Sequence, residues 1–231
     1  SYEDFEQAEI DDAAEGGIHY CKHANAVHFT PDMSAIFISV RHLSRITLID
    51  YESKDVIWNM GKDFPSGDVA FGHDLNFSYQ HDPEWQPNGN ILLFDNHNLG
   101  PEDSSRAIEI SIDMDRDPIA ENVWESWGTP YSRAMGDADR LENGNTLVTL
   151  GIVGVIYETN DEAEEIWRLT RTMMEGERNN RIYRAERIPN LYPLAYTIKG
   201  PNDGDHVPDE DSYFAFTINN IGNQSQAYRY N

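Results

Sequence analysis

The chain carries a single cysteine, Cys21, which excludes an intrachain disulfide and a cysteine-rich zinc site. A lone cysteine reads first as a small buried hydrophobe rather than a nucleophile. Long hydrophobic runs are also missing: no stretch reaches the roughly 18 apolar residues of a membrane-spanning helix. The opening residues Ser1-Tyr2-Glu3-Asp4-Phe5 lack the basic and apolar regions of a signal peptide, so such a leader is expected to be absent or already removed. Cations are scarce, with 17 Lys and Arg against 41 Asp and Glu and a formal net charge of -24. A surface of that sign cannot offset phosphate charge, which excludes nucleic acid and anionic lipid as partners. An anionic substrate must therefore find cations built into its own site. Elsewhere the acidity reads as solubility, with ions screening the self-repulsion in a salty setting.

Enough apolar material is nevertheless present for a core, at 39% hydrophobic and 11% aromatic residues. Helical periodicity is weak, with one helical turn expected near Asp161 to Arg171. An internal repeat organises the rest. The order AIFISV, SRITLID, DVIWNMG recurs as NGNILLFDN, SRAIEISID, ENVWESWG and again as NGNTLVTLG, VGVIYETND, EEIWRL. Each unit places a short apolar strand before an alternating one and closes on a tryptophan: Trp58, Trp124 and Trp167. A polar segment precedes each unit: KHANAVHF, YQHDPEW and GDADRLE. Counting it gives about four strands per unit, the blade of a β-propeller. Asn88-Gly89-Asn90 and Asn143-Gly144-Asn145 supply hairpin turns. The three tryptophans are expected to pack between neighbouring blades.

The fold expected is therefore all-β, a propeller over residues 1–193 followed by a C-terminal strand and loop extension over 194–231. The extension holds the strand SYFAFTINN, and FEQAEID near the start reads as an outer strand. Three clear units are fewer than the typical 4 to 8 or so blades of a closed ring. The reading favoured is part of a larger propeller, the other being completion by partner chains, because an open ring leaves sheet edges unpaired.

Side chains near the start of each blade's innermost strand face the channel, where propellers bind ligands. Those positions hold His23, His81 and Asp137 or Asp139, and the connection after the next strand of the first unit holds Arg41 and His42. Histidine, arginine and carboxylate aimed at one axial point suit transfer of a sulfuryl or phosphoryl group. A neutral imidazole is a good nucleophile whose adduct is a good leaving group. Fixed cations stabilise charge on the transferred oxygens, and arginine offers a planar fork that fits them.

The strings KHANAVHF, SVRHLSRITLID, VIWNMG, FSYQHD, NILLFDN, SSRAIEI and GDADRLENGNTLVTLG, in that order, resemble the arylsulfotransferase family over roughly residues 17–192. The shared pattern is H-x-N, S-x-R-H-x-S, Q-H, then F-D-N. The resemblance implies a six-bladed propeller that moves a sulfuryl group from an aryl sulfate to a phenol. It implies ping-pong chemistry through a sulfohistidine, without a nucleotide sulfate donor or any cofactor, in an extracellular or periplasmic setting. Carried over by motif, His81 is the nucleophile, and His23 and Arg41 bind and polarise the sulfuryl oxygens. Asn25 and His42 support them. The family site also draws a histidine from an earlier blade, which this sequence does not contain; His19, four residues before His23, is not its equivalent.

Other signals read as structural. Asp113, Asp115 and Asp117 suggest a calcium loop, but an EF-hand needs glycine and a carboxylate where Pro118 and Trp124 stand, so a surface turn is expected. His28, His73, His97 and His206 fall in no motif. The sequons at Asn76 and Asn223 read as chance. The competing function is a non-catalytic propeller that keeps the fold as a binding or structural module, since folds host many functions. A hydrolase passing the sulfuryl group to water is a third class.

Overall fold

A computed structural model describes residues 23–61, 69–71, 75–101, 103–113, 118–173, 179–188, 196–199 and 217–220. The expected strand FEQAEID, with His19, Cys21, His73, Asp115, Asp117 and His206, lies outside those residues. The chain divides into two units, Ser1–Glu186 and Arg187–Asn231. Among the described residues the first is all-β, with two single-turn 3-10 helices and no α-helix.

Three antiparallel sheets repeat one design. The first pairs β1 (Ala24–Phe29), β2 (Ala35–Val40), β3 (Arg45–Asp50) and β4 (Val56–Gly61) in sequence order. The second is built from β6 (His81–Trp85), β7 (Ile91–Asp95), β8 (Ser105–Asp113) and β9 (Ile119–Gly128). A short β5 (Ala70–Phe71) adds to it in parallel beside β9. The third holds β10 (Asp137–Arg140), β11 (Thr146–Leu150), β12 (Val155–Thr159) and β13 (Glu165–Thr170). These are four-stranded blades, and the described residues contain three of them and no closed ring. In the second unit β14 (Tyr196–Lys199) pairs antiparallel with β15 (Thr217–Asn220), the latter inside the expected strand SYFAFTINN.

The repeat extends to register. Trp58, Trp124 and Trp167 sit opposite Leu48, Glu109 and Glu158, and a β-bulge follows each of those partners. Both expected Asn-Gly turns form, with Gly89 and Gly144 at φ of +89° and +88°. Their N–H groups bond back to Gln86 and Leu141 three residues earlier, a type I turn closed by a left-handed glycine. The flanking asparagines then donate to a glutamate two strands along: Asn88 and Asn90 to Glu109, and Asn145 to Glu158.

Packing follows from the strand period of two. In the middle blade every residue of β7 is buried, because there is a neighbour on both faces. Ile91 and Leu93 join the core shared with the first blade, beside Phe37, Trp58 and Met60. Leu92 and Phe94 join the core shared with the third, beside Val148, Leu150 and Tyr157. The tryptophans grade accordingly. Trp58 is 4% exposed in the first seam, and Trp124 packs on the second and donates its indole N–H to the Asp161 carbonyl. Trp167 departs from the expectation: it is 43% exposed on the outermost strand, with no described blade beyond it. The helical turn expected near Asp161 to Arg171 is also corrected, since Glu165–Thr170 is strand β13, pinned by its ladder to β12.

Truncating equivalent tryptophans should therefore cost different amounts. Trp58→Ala is expected to destabilise by about 3–5 kcal/mol, and Trp167→Ala by less than about 1 kcal/mol. Urea midpoints of the two variants would read this, and equal losses would contradict the seam assignment.

Candidate functional site

The approach to β6 is the hub. Tyr79 and Asp82 both hold positive φ, at +58° and +48°, and the ladder to β7 slips between His81 and Glu84. Side chains from two blades keep this irregular stretch in place. The Ser78 N–H donates to the Asp95 carboxylate and the Tyr79 N–H to the Ser44 hydroxyl. The Gln80 side-chain amide donates to Ser39 Oγ and the Arg45 carbonyl, and the Gln80 backbone carbonyl accepts from the Asn25 amide. The serines of S-x-R-H-x-S, the asparagine of H-x-N and the glutamine of Q-H thus all fix the residues just before His81. The F-D-N motif works from the other side. Asp95 is fully buried, and its second oxygen accepts from Arg106 at 2.8 Å.

His81 is 4% exposed, and its Nδ1 lies 2.6 Å from Asn96 Oδ1. Burial pushes its pKa down to about 4, and the charges of Arg41 and His23 push the same way. The hydrogen bonds to Asn96 and the Tyr79 backbone act in the opposite direction and are outweighed. His81 is therefore an uncharged imidazole at neutral pH.

Arg41 begins the 3-10 turn Arg41–Leu43, which Ser44 ends in the left-handed conformation. The third blade makes the same turn at Gly151–Val153, so the fold places arginine in the first blade where the third has glycine. The guanidinium lies over the Tyr79 ring, 4.6 Å from its centroid, and donates to the Arg133 carbonyl at 2.9 Å. The His42 ring packs on His23 at 5.0 Å and on Tyr79 at 5.7 Å between centroids. His23 precedes β1 and is exposed, yet desolvation and then the charges of Arg41 and His42 lower its pKa. The structure thus brings His23, Arg41, His42 and His81 to one neighbourhood around Tyr79, with Asn25 bracing Gln80 beneath it. Chemically this is a neutral buried imidazole next to fixed positive charge.

Three groups escaped the sequence reading. Asn96 lay inside a quoted motif with no role attached. Arg184 comes from an irregular segment that carries no signal. His28, which falls in no motif, donates its Nε2–H to the Asp82 carboxylate at 2.8 Å.

These last two belong to a carboxylate cluster. Asp82, Asp137 and Asp139, from the innermost strands of two blades, have oxygens within 4.8 Å of one another. That spacing suits a hard cation such as calcium. Arg184 already supplies positive charge there, 3.1 Å from Asp82 and 3.4 Å from Asp137. Desolvation raises the Asp137 and Asp139 pKa values, and that of Glu84 to about 7. Asp82 goes the other way, below the usual carboxylate range, because His28 and Asp137 hydrogen-bond to it. Asp137 and Asp139, expected among the channel positions, thus sit with this cluster.

An acid whose folded pKa is raised holds more protons in the folded state, so it weakens folding as pH climbs above its unfolded value near 3.9. Asp137→Asn is therefore expected to stabilise the protein at pH 8 by about 1–3 kcal/mol, and to do little near pH 3. Urea midpoints at the two pH values would test this; a pH-independent difference would contradict it.

Comparison with known proteins bears on the same residues. No curated protein matches the chain. Among solved structures, it is similar to a hydrazine synthase of Kuenenia stuttgartiensis, at 13% identity and a TM-score of 0.43 over 73% of this chain and 42% of that one. It is also similar to a chain of a mitotic checkpoint complex, at 10% identity and 0.41 over 68% and 42%. A protein of unknown function from Bacteroides caccae follows at 13% and 0.35 over 69% and 65%. The chain spans less than two thirds of each of these, and at such scores they carry no argument about this protein. A family profile does: that of arylsulfotransferase (ASST) matches residues 3–172, which include every motif residue of the His81 site. The chain belongs to the arylsulfotransferase family.

Proposed function

We propose that the protein transfers a sulfuryl group from an aryl sulfate ester to a phenolic acceptor, in two steps through a sulfohistidine at His81. The observation that carries this reading is His81 itself: an imidazole kept uncharged by burial, beside Arg41 and His23. A protonated ring has no lone pair to give, whereas a ring with a pKa of about 4 is nucleophilic throughout the neutral range.

In the first step a ring nitrogen of His81 attacks sulfur, the N–S bond forms, and the S–O bond to the aryl group breaks. The electron pair leaves on the aryl oxygen. In the second step the acceptor's phenolic oxygen attacks sulfur, the N–S bond breaks, and the ring recovers its lone pair. The acceptor's proton passes to His23, whose lowered pKa keeps it unprotonated and able to take it. Arg41 supplies fixed positive charge to the sulfuryl oxygens, which gather negative charge in both transition states. Its place is set by the Arg133 carbonyl and the Tyr79 ring, so little reorganisation is needed when the anion arrives. His42 packs against His23 and fixes that ring's attitude. The family resemblance further supports an extracellular or periplasmic location, and partner chains or further blades completing the ring.

A chromogenic aryl sulfate with and without added phenol is the direct test. Turnover should depend on phenol, and a quenched sample without acceptor should gain the mass of one sulfuryl group. His81→Asn is expected to lower kcat by about 10,000-fold or more and abolish the mass gain. Arg41→Lys should cost about 10- to 1,000-fold, because an ammonium cannot reproduce the fork. Failure of wild-type protein to become labelled, or labelling that survives loss of His81, would sink the reading. The pH profile adds an independent check. As pH falls through about 4, His81 takes up a proton and kcat/KM should drop; an acid limb near 6.5, the ordinary histidine value, would contradict a buried neutral ring.

A further inference from the structure

We infer that Asn96 is a positioning residue that fixes the tautomer of His81, so that Nδ1 carries the proton and Nε2 alone carries the reactive lone pair. This rests on the reading of His81 as the group that takes the sulfuryl, but the tautomer itself follows from hydrogen bonds alone.

The Asn96 side chain has no exposed surface. Its amide nitrogen donates to the Ser132 carbonyl at 2.6 Å and to the Met135 carbonyl at 2.9 Å. An amide NH2 has two hydrogens, and both are used. The two carbonyls can only accept, so reversing the amide would set its oxygen against two other oxygens and leave the Ser132 carbonyl with only the Ser105 hydroxyl at 3.3 Å. The orientation is therefore determined, and Asn96 Oδ1 faces His81 Nδ1 at 2.6 Å. An amide oxygen only accepts. The single hydrogen of the neutral ring is therefore assigned to Nδ1, where Asn96 can only accept, ahead of the bond the ring also makes to the Tyr79 backbone.

The segment that orients Asn96 is itself anchored. The Ser132 N–H donates to Ser105 Oγ, and the Arg133 carbonyl receives Arg41. One stretch between β9 and β10 thus sets both the His81 tautomer and the place of the guanidinium. Asn96 also has a part in the reaction. When Nε2 bonds to sulfur, the ring becomes a cation with its remaining hydrogen on Nδ1. The Asn96 oxygen accepts that hydrogen more strongly as the charge develops. It does so without the negative charge of an aspartate, which would favour protonation of the resting ring and remove the nucleophile.

The test is nitrogen NMR of protein labelled with 15N-histidine, with the His81 signals assigned by their loss in His81→Gln. At pH 7 the His81 Nδ1 should show a directly bonded hydrogen and Nε2 the shift of an unprotonated nitrogen. The opposite tautomer, or a fast mixture of the two, would overturn the inference whether or not the protein turns over aryl sulfates. Kinetics give a second reading. Asn96→Ala is expected to lower kcat by about 10- to 100-fold, as removal of orienting partners typically does. KM should change little. Asn96→Asp should move the acid limb of kcat/KM upward by a unit or more, whereas a purely structural asparagine would leave that limb in place. If the variants fail to fold, the wild-type spectrum still decides. If the spectrum is as expected but no aryl sulfate labels the protein, the proposed chemistry falls and the role of Asn96 in setting the ring stands.

Discussion

A buried imidazole without a carboxylate partner is driven neutral, and the site around His81 is organised by that single constraint. Desolvation alone lowers the affinity of the ring for a proton, and the fixed charge of Arg41 lowers it further, as does His23 whenever it is protonated. Cations so close to the ring would be unfavourable beside an imidazolium. Beside a neutral ring they cost little. Asn96 completes the scheme because it is a neutral acceptor: it holds Nδ1 at 2.6 Å without adding the negative charge that would draw a second proton onto the ring. Neutral imidazole, guanidinium and amide acceptor are thus electrostatically compatible as a set.

The same strand shows how narrowly this is specified. Neighbouring residues of β6 serve opposite electrostatic regimes: His81 faces Asn96, while Asp82 faces His28, Arg184 and the carboxylates of β10. A slip of one residue would exchange an imidazole for a carboxylate at the reactive position. The left-handed conformations of Tyr79 and Asp82 bracket His81 at this point and give the strand an irregular start. Such backbone is unfavourable for non-glycine residues and persists where the surroundings over-determine it. Here they do, through Ser39, Ser44, Asn25 and Asp95, each bonded to residues 78–80.

Much of this was legible in the sequence, and what was not has a physical reason. Four strands per unit could be read because alternation, Asn-Gly turns and a closing tryptophan are local signals, and register repeated them faithfully down to the bulges. Exposure of Trp167 was not legible, because burial depends on what lies on the far side of a sheet. The strand at Glu165–Thr170 was misread near its start for a related reason: its sequence, EIWRLT, is indifferent between helix and strand until the ladder to β12 decides. Motif order located His23, Arg41, His42 and His81 in one neighbourhood. It could not say what Asn96 does, since a role that consists of two donated bonds and one accepted bond exists only in three dimensions. Arg184 was invisible for the same reason, being one of several arginines on an irregular segment, set beside Asp82 and Asp137 only by tertiary structure.

The overall charge sharpens the argument about what the site is for. A net charge of -24 works against an anionic ligand at long range, yet ions screen such forces beyond about 8 Å at physiological ionic strength. Inside that distance the local field decides: Arg41 lies by His81, while Asp82, Asp137 and Asp139 are gathered with their own histidine and arginine. Raised pKa values there mean that part of the negative charge is removed by protonation. On the proposed reading, that grouping keeps the carboxylate cluster with its own cations, apart from the imidazole that would take the sulfuryl group.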